Sequence, residues 1–211
     1  NIKAFYAIKA NPDYRIIKTL NNLGCKFDAA SINEIKKAIK TGVKAKNISY
    51  GNTIKKSKDI ASAYQKGIRL YVFDSKEELY KIAKNAPKSK VFCRIQVSNG
   101  GAEWPLTKKF GCNANIANEL LLEALELGLK PIGLSFHVGS QQINPQSWDK
   151  GIKVVSEVYS HLLKKGMQIK FLNLGGGLPL EYSKKIPSIN IFASCIKKSL
   201  KKYFLSNIPS D

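Results

Sequence analysis

The sequence predicts an α/β protein built as a (β/α)8 barrel in which about seven of the eight strand–helix units are present. Short apolar runs alternate with longer amphipathic stretches of helical spacing, a pattern typical of parallel strands joined by helical crossovers. A doubly wound sheet shows the same alternation, but no glycine-rich dinucleotide fingerprint follows the first apolar run, which favours the barrel. Because no linker or low-complexity segment divides the chain, residues 1–211 are predicted to form one domain.

The predicted strands are seven short apolar runs, at residues 4–8, 26–30, 47–50, 69–73, 91–97, 132–136 and 169–174. Several of the helices between them have clear starts. Ser31 with Glu34 and Ser75 with Glu78 match the capping box, in which a serine and a glutamate satisfy backbone N–H groups at a helix N-terminus. The segment around Trp104, after the fifth strand, is predicted to be a loop.

The composition is that of an ordinary globular protein, with 44% hydrophobic and 24% charged residues. No apolar run approaches the roughly 18 residues of a membrane helix, so no membrane span is predicted. The net charge of +20 raises the alternative of nucleic-acid binding. However, only three of the 35 basic residues are arginine, the residue that base-edge recognition favours. Lysine pairs such as Lys55-Lys56 are therefore interpreted as solvated faces, and no specific nucleic-acid partner is predicted.

The cysteine and histidine content predicts no metal site. The four cysteines form no CxxC pair, and the two histidines have no zinc-ligand spacing. Scattered thiols are typical of a reducing compartment, which predicts a cytoplasmic protein. The first residue is Asn1 rather than methionine, which indicates a piece of a longer protein.

The chemistry of a (β/α)8 barrel lies at the carboxyl ends of its strands, and Lys9 stands directly after the first strand. A lysine partly removed from water can form a Schiff base with an aldehyde, although a solvated strand-end lysine is the alternative. Asp28 lies in the second strand and Glu34 on the helix that follows. These two carboxylates are expected to orient the lysine or hold it charged. Helix capping alone explains Glu34 equally well.

Three later strands contain an arginine or are followed by a histidine or glycine-rich segment. Arg94 stands in an otherwise apolar strand, where a guanidinium needs an anionic partner. His137 is followed by Gly139 and Ser140, which suit a loop that approaches a phosphate, and a core histidine is the alternative. The seventh strand ends in Gly175-Gly176-Gly177, whose backbone N–H groups suit a phosphate site, although a tight turn gives the same pattern.

Together these motifs resemble those of the ornithine/diaminopimelate/arginine decarboxylase family, whose barrel is similar to that of alanine racemase. The matching segments occur in family order along the whole chain. They are Tyr6-Ala7-Ile8-Lys9-Ala10-Asn11, Phe27-Asp28-Ala29-Ala30-Ser31 with Glu34, Lys109-Phe110-Gly111, His137-Val138-Gly139-Ser140-Gln141 and Gly175-Gly176-Gly177. The resemblance implies a barrel of the alanine-racemase-like type that binds pyridoxal phosphate.

The resemblance implies roles for the residues that would bind the cofactor directly. Lys9 resembles the lysine that binds the aldehyde of pyridoxal phosphate. His137 resembles the residue that stacks on the cofactor ring. Ser140 and the triplet Gly175-Gly176-Gly177 resemble the residues that bind its phosphate.

Four further residues match positions around the cofactor or the subunit interface. Asp28 and Glu34 match catalytic carboxylates near the lysine. Arg94 matches an arginine beside the cofactor, and Lys109 matches a lysine near the interface of a homodimer.

The activity that the resemblance implies is decarboxylation of a basic amino acid, with pyridoxal phosphate as the electron sink. The segments around residues 30–35 and 101–112 are similar to those of bacterial ornithine or ornithine/lysine decarboxylases. This favours L-ornithine as substrate and putrescine plus CO2 as products, a step of polyamine biosynthesis. Diaminopimelate decarboxylase of lysine biosynthesis is the alternative enzyme, and a non-catalytic pyridoxal-phosphate-binding relative is the alternative from another class.

The family's cofactor site includes parts that these 211 residues do not contain. These are an eighth strand with a Glu-Pro-Gly-Arg segment and a β-domain at the dimer interface. We therefore expect the 211-residue chain alone to have little or no activity and the full-length protein to be an enzyme.

Overall fold

The structure, a computed structural model, describes residues 2–97, 102–104, 109–182 and 185–204, with the backbone alone for residues 102–104. The chain divides into two compact units. The first comprises Asn1–Phe92 with Glu123–Pro131, and the second comprises Cys93–Leu122 with Ile132–Asp211. The single domain expected over residues 1–211 stays a prediction.

Strands and helices alternate along the described residues. The strands are β1 (Phe5–Ala7), β2 (Lys26–Ala29), β3 (Ile48–Tyr50), β4 (Leu70–Phe73), β5 (Lys90–Arg94), β6 (Ala102–Trp104), β7 (Lys130–Ser135), β8 (Ser140–Gln142) and β9 (Phe171–Asn173). The α-helices are α1 (Tyr14–Asn22), α2 (Ile32–Lys40), α3 (Ser57–Gln65), α4 (Lys76–Asn85), α5 (Ala114–Glu126), α6 (Gln146–Lys164) and α7 (Ile189–Phe204).

The larger of two sheets contains the seven strands that the apolar runs predict. Its hydrogen-bonded order is β1-β2-β3-β4-β5-β7-β9, and β1–β2, β2–β3, β3–β4 and β7–β9 are parallel pairs. The smaller sheet pairs β6 with β8 in antiparallel register, with Trp104 opposite Ser140. This ribbon was not predicted, since the segment around Trp104 was expected to be a loop.

Both serine caps predicted from the sequence are present, but their glutamates behave differently. The Oγ of Ser31 accepts from the N–H of Glu34 at 3.2 Å, and the Oγ of Ser75 accepts from the N–H of Glu78 at 3.3 Å. Glu34 Oε2 returns to a backbone donor, the N–H of Ala30, at 2.7 Å. Glu78 instead turns into the core, where two lysines contact it.

Each unit has a buried apolar core. In the first unit the fully buried side chains include Ile8, Phe27, Ile35, Ile60, Tyr71, Phe73 and Leu79. In the second unit α6 and α7 pack together through Trp148 and Phe192, whose rings are 5.5 Å apart in an edge-to-face arrangement. Gly151 of α6 lies against the ring of Phe136, and a Cβ there would be 2.5 Å from a ring carbon.

Candidate functional site

Lys9 lies on a single 3-10 turn, Ile8–Ala10, that follows β1 directly. The turn is anchored by its first residue, because Ile8 is fully buried while Lys9 is exposed. The hydroxyl of Tyr6 donates to the carbonyl of Asn11 at 3.2 Å and ties the strand to the residues beyond the turn. The predicted position at a strand end is confirmed, whereas the partial removal of Lys9 from water is not observed.

Asp28 lies on β2, opposite Ala7 of β1 and Ser49 of β3. Its half-buried carboxylate lies over the backbone at Gly51. A Cβ at position 51 would overlap that carboxylate, so only glycine fits there with Asp28 in this position.

Glu34 is half-buried at the first turn of α2, and the structure shows it as a capping residue. Its Oε2 accepts from the N–H of Ala30, the last residue before the N-cap Ser31. The capping interpretation is confirmed. The catalytic role that the resemblance implies for Glu34 stays a prediction.

In the second unit, His137 lies two residues beyond the end of β7 and is half-buried. Its Nδ1 accepts a hydrogen bond from the N–H of Gly139 at 3.0 Å. In the neutral imidazole the proton is therefore on Nε2. The local backbone thus sets both the ring's orientation and its tautomer.

The glycine triplet packs against the backbone on either side of His137. Gly175 and Gly177 have φ of 68° and 100°, and a Cβ at either would overlap the carbonyl oxygen of Phe136 or of Gly139, respectively. A Cβ at Gly176 would lie 3.4 Å from His137 Nε2. The structure therefore brings His137 and the triplet together, and only glycine fits at positions 175 and 177 at this separation.

One feature of the triplet differs from the prediction of three open N–H donors. The N–H of Gly175 donates to Asn173 Oδ1 at 2.8 Å. An asparagine two residues before a glycine is a known turn signal, so the sequence could have shown that this donor is used within the chain.

Ser140 is half-buried and begins β8. Two residues on, the N–H of Gln142 donates to the carbonyl of Gly177 at 2.9 Å. The serine hydroxyl and the triplet therefore lie on adjoining segments. Hydroxyl and backbone N–H donors on glycine-rich turns are the groups that bind phosphate.

Arg94 is the last residue of β5 and is half-buried. Its guanidinium carbon lies 4.9 Å from the centroid of the Phe110 ring, a cation–π contact. The backbone is tied as well, because the N–H of Cys112 donates to the carbonyl of Arg94 at 3.1 Å. Lys109, one residue before Phe110, is exposed.

A buried ion cluster in the first unit was missed by the sequence analysis. The Nζ of Lys55 lies 2.8 Å from Glu78 Oε1 and donates to the carbonyls of Asn52 and Val72 at 2.6 and 2.7 Å. The Nζ of Lys81 lies 2.6 Å from Glu78 Oε2. The interpretation of Lys55 as part of a solvated face is wrong, because its side chain is 0% exposed.

Burial controls the ionisation of this cluster. Removal from water lowers the pKa of Lys55 to about 8, although the charge of Glu78 acts in the opposite direction. Burial, together with the charges of Asp59 and Glu78, also raises the pKa of the neighbouring Tyr50 to about 12. No local pattern marks Lys55, since Val72 and Glu78 lie 17 and 23 residues away in the chain.

Over the parts of the chain that the structure describes, none of the helices has the length and apolar character needed to cross a membrane.

Comparison with known proteins identifies the family. The model of the pyridoxal binding domain of pyridoxal-dependent decarboxylases matches residues 1–210. The chain is 35% identical to mouse ornithine decarboxylase, covering 100% of this chain and 44% of that protein. It is 32% identical to a lysine/ornithine decarboxylase of Selenomonas ruminantium, covering 94% of this chain and 50% of the relative. The chain thus spans about half the length of the curated relatives it matches.

Solved structures show the same fold. A crystal structure of a double mutant of SrLDC in complex with PLP superposes with a TM-score of 0.92 at 32% identity, covering 96% of this chain and 53% of that one. The arginine decarboxylase of Paramecium bursaria Chlorella virus, bound to agmatine, superposes with a TM-score of 0.89 at 32% identity. The match covers 98% of this chain and 56% of that one. These matches confirm the predicted fold class, an incomplete (β/α)8 barrel. The chain therefore belongs to the pyridoxal-dependent decarboxylase family, as its pyridoxal-binding domain.

Proposed function

We propose that this chain is the cofactor-binding part of an enzyme that releases the α-carboxylate of a basic amino acid as CO2, with L-ornithine as the favoured substrate. The observation that carries the proposal is the close packing of Gly175-Gly176-Gly177 against the backbone beside His137, next to the segment that holds Ser140. That arrangement combines an aromatic ring with phosphate-binding groups, as pyridoxal phosphate requires.

The residues of the second unit fit the phosphate and the ring of this cofactor. The hydroxyl of Ser140 and the N–H groups of Gly176 and Gly177 are assigned to the phosphate. Gly175 is assigned a steric role, because its N–H donates to Asn173 and a Cβ on it would overlap a backbone carbonyl. The His137 ring, held through Nδ1, is assigned to stack on the pyridine ring.

Pyridoxal phosphate supplies the electron sink that makes loss of the carboxylate feasible. Lys9 is assigned to bind the cofactor aldehyde through its Nζ, and its exposed position leaves that amine open to an incoming aldehyde. Asp28 and Glu34 are assigned to stabilise positive charge near Lys9, and Asp28 lies opposite Ala7, two residues before it. Arg94, stacked on Phe110, is assigned to a position beside the cofactor.

The choice of ornithine is supported by relatives from yeast, worm and mouse that are ornithine decarboxylases. Lysine and arginine are the main alternative substrates, because other similar proteins are named lysine/ornithine decarboxylase and arginine decarboxylase. Diaminopimelate remains the alternative from lysine biosynthesis, and a non-catalytic pyridoxal-phosphate-binding protein remains the alternative from another class. The cytoplasmic location and the homodimer stay predictions, as does the lack of activity of the 211-residue chain on its own.

The experiment uses the full-length protein with Lys9→Ala and, as a matched control, Lys3→Ala, which removes another exposed lysine of the same unit. Pyridoxal phosphate is added, the adduct is reduced with borohydride, and the labelled peptide is mapped. We expect the label on Lys9 in the wild type and in Lys3→Ala, and no label at that peptide in Lys9→Ala.

The same three proteins are then assayed for CO2 release from ornithine, lysine, arginine and diaminopimelate. The largest kcat/KM is expected with ornithine, and none is expected for Lys9→Ala. A label on another lysine would overturn the assignment of Lys9. Correct labelling without CO2 release from any of the four substrates would favour the non-catalytic alternative.

A further inference from the structure

We propose that Gln141 is a positioning residue that clamps the two phosphate-binding segments together and thereby sets the affinity for the cofactor phosphate. This inference rests on the proposed function, since it takes Ser140 and the glycine triplet as the phosphate site. It concerns only residues of the second unit.

The backbone at Gln141 is strained. Its φ is 51°, in the left-handed region that glycine occupies readily and other residues occupy at a cost. Among the described residues with a side chain, only Lys88 has a comparable value, at 60°. A strained residue persists where the surrounding structure holds it in place.

The side chain of Gln141 makes the contacts that hold it. Its Nε2 donates to the carbonyl of Leu180 at 3.0 Å, and its Oε1 accepts from the N–H of Leu180 at 3.0 Å. The carboxamide thus satisfies both backbone groups of one residue, as a neighbouring strand would. Leu180 itself is 65% exposed, so apolar packing of its side chain contributes little to holding this segment.

A second tie lies on the next residue. The N–H of Gln142 donates to the carbonyl of Gly177 at 2.9 Å, and its buried side chain donates to the carbonyl of Val138 at 3.0 Å. Residues 177 and 180 are therefore both bonded to the segment that begins with Ser140. These bonds therefore hold the last residue of the glycine triplet and the residues that follow it.

The position of these ties gives Gln141 its role. The donors assigned to the phosphate come from two segments that are separated in sequence, Ser140 on one and the triplet on the other. Their distance apart depends on the bonds that join the segments. Without the Gln141 carboxamide, the segment that follows Gly177 keeps the Gln142 bond and the buried Pro179. It loses the two bonds that fix Leu180 relative to Ser140.

Two variants separate the effect of the side-chain bonds of Gln141 from the effect of its left-handed backbone. Gln141→Gly removes both side-chain bonds and relieves the left-handed backbone, whereas Gln141→Met removes the bonds and keeps the backbone cost. Lys88→Gly is the matched control, because it relieves the other left-handed position at an exposed residue in the first unit. Ser140→Ala serves as the reference for the phosphate site itself.

The readouts are hydrogen exchange at the peptide containing Leu180 in the full-length apoprotein, and the Kd for pyridoxal phosphate and for inorganic phosphate. Loss of the clamp is expected to speed exchange at Leu180 and to weaken both ligands about five- to tenfold, in line with the loss of one or two hydrogen bonds. Lys88→Gly is expected to change neither quantity. Gln141→Gly is expected to weaken binding even though its backbone is relaxed.

Three results would overturn the inference. Unchanged exchange at Leu180 in Gln141→Gly would show that the clamp does not form in solution. Faster exchange with unchanged affinity for both ligands, while Ser140→Ala binds them more weakly, would show that the clamp does not position the site and would leave the proposed function intact. Unchanged affinity in Ser140→Ala would remove the phosphate site, and with it both proposals.

Discussion

Helices α2 and α4 begin with the same Ser-x-x-Glu pattern, yet the two glutamates have different partners. Glu34 is half-buried and bonds to a backbone N–H four residues before it. Glu78 is 2% exposed and lies between two lysines, one of them 23 residues away. The pattern therefore specifies where a helix starts, while tertiary contacts decide what the glutamate does.

The difference has an energetic meaning. At the first turn of α2 the glutamate contributes a cap and a favourable interaction with the helix dipole, each worth about 1 kcal/mol or less. In α4 the carboxylate compensates the charge of Lys55, which is shielded from water. A buried ion pair adds little net stability, but its members depend strongly on each other.

The largest expected effect comes from removing one charge at each site. Glu78→Gln leaves the Lys55 ammonium buried without its counter-ion, which is expected to lower the free energy of unfolding by about 3–5 kcal/mol. Glu34→Gln keeps a side-chain oxygen that can accept from the N–H of Ala30. Its free energy of unfolding should therefore fall by less than about 1 kcal/mol. Urea unfolding of the two variants measures both losses. Equal losses would mean that the Lys55–Glu78 pair is not buried in solution.

A smaller effect is expected from the ionisation of Lys55. Its pKa is 10.5 in the ordinary case and about 8 in the folded chain, so between these values the unfolded state binds more protons. Stability contributed by this group therefore rises as the pH increases from 8 to 10.5. Lys55→Met lacks this dependence. Between pH 8 and 10.5 the free energy of unfolding of the wild type should therefore rise by on the order of 2 kcal/mol relative to that of the variant. Parallel stability curves for the two proteins over this range would contradict the lowered pKa.

The smallest expected difference is between the two serines. Ser31→Ala and Ser75→Ala each remove one N-cap acceptor, and each is expected to cost about 1 kcal/mol. Thermal unfolding should give similar losses of stability, because each serine Oγ accepts one backbone N–H at the start of its helix. A much larger loss for Ser75→Ala would show that the cap and the buried ion cluster are coupled.

The strands of the larger sheet could be predicted because each is a local apolar run, and the positions of Lys9, His137 and the glycine triplet at strand ends followed from that. The tertiary partners of several segments and side chains could not be predicted. β6 and β8 are only three residues long, too short for a pattern to identify them, and they pair over a long separation in sequence. Lys55 carries no local sign of burial, since its counter-ion Glu78 comes from α4 and one of the two carbonyls that accept from it comes from β4.

The contact between Gly51 and Asp28 has a consequence for reading mutational data from this domain. Position 51 has no side chain and no chemistry of its own, yet any added carbon displaces the Asp28 carboxylate. A scan of substitutions would therefore group Gly51 with the acidic residue rather than with the turns around it. In such data a sensitive Gly51 would mark the place where the neighbouring strand leaves room for the Asp28 carboxylate.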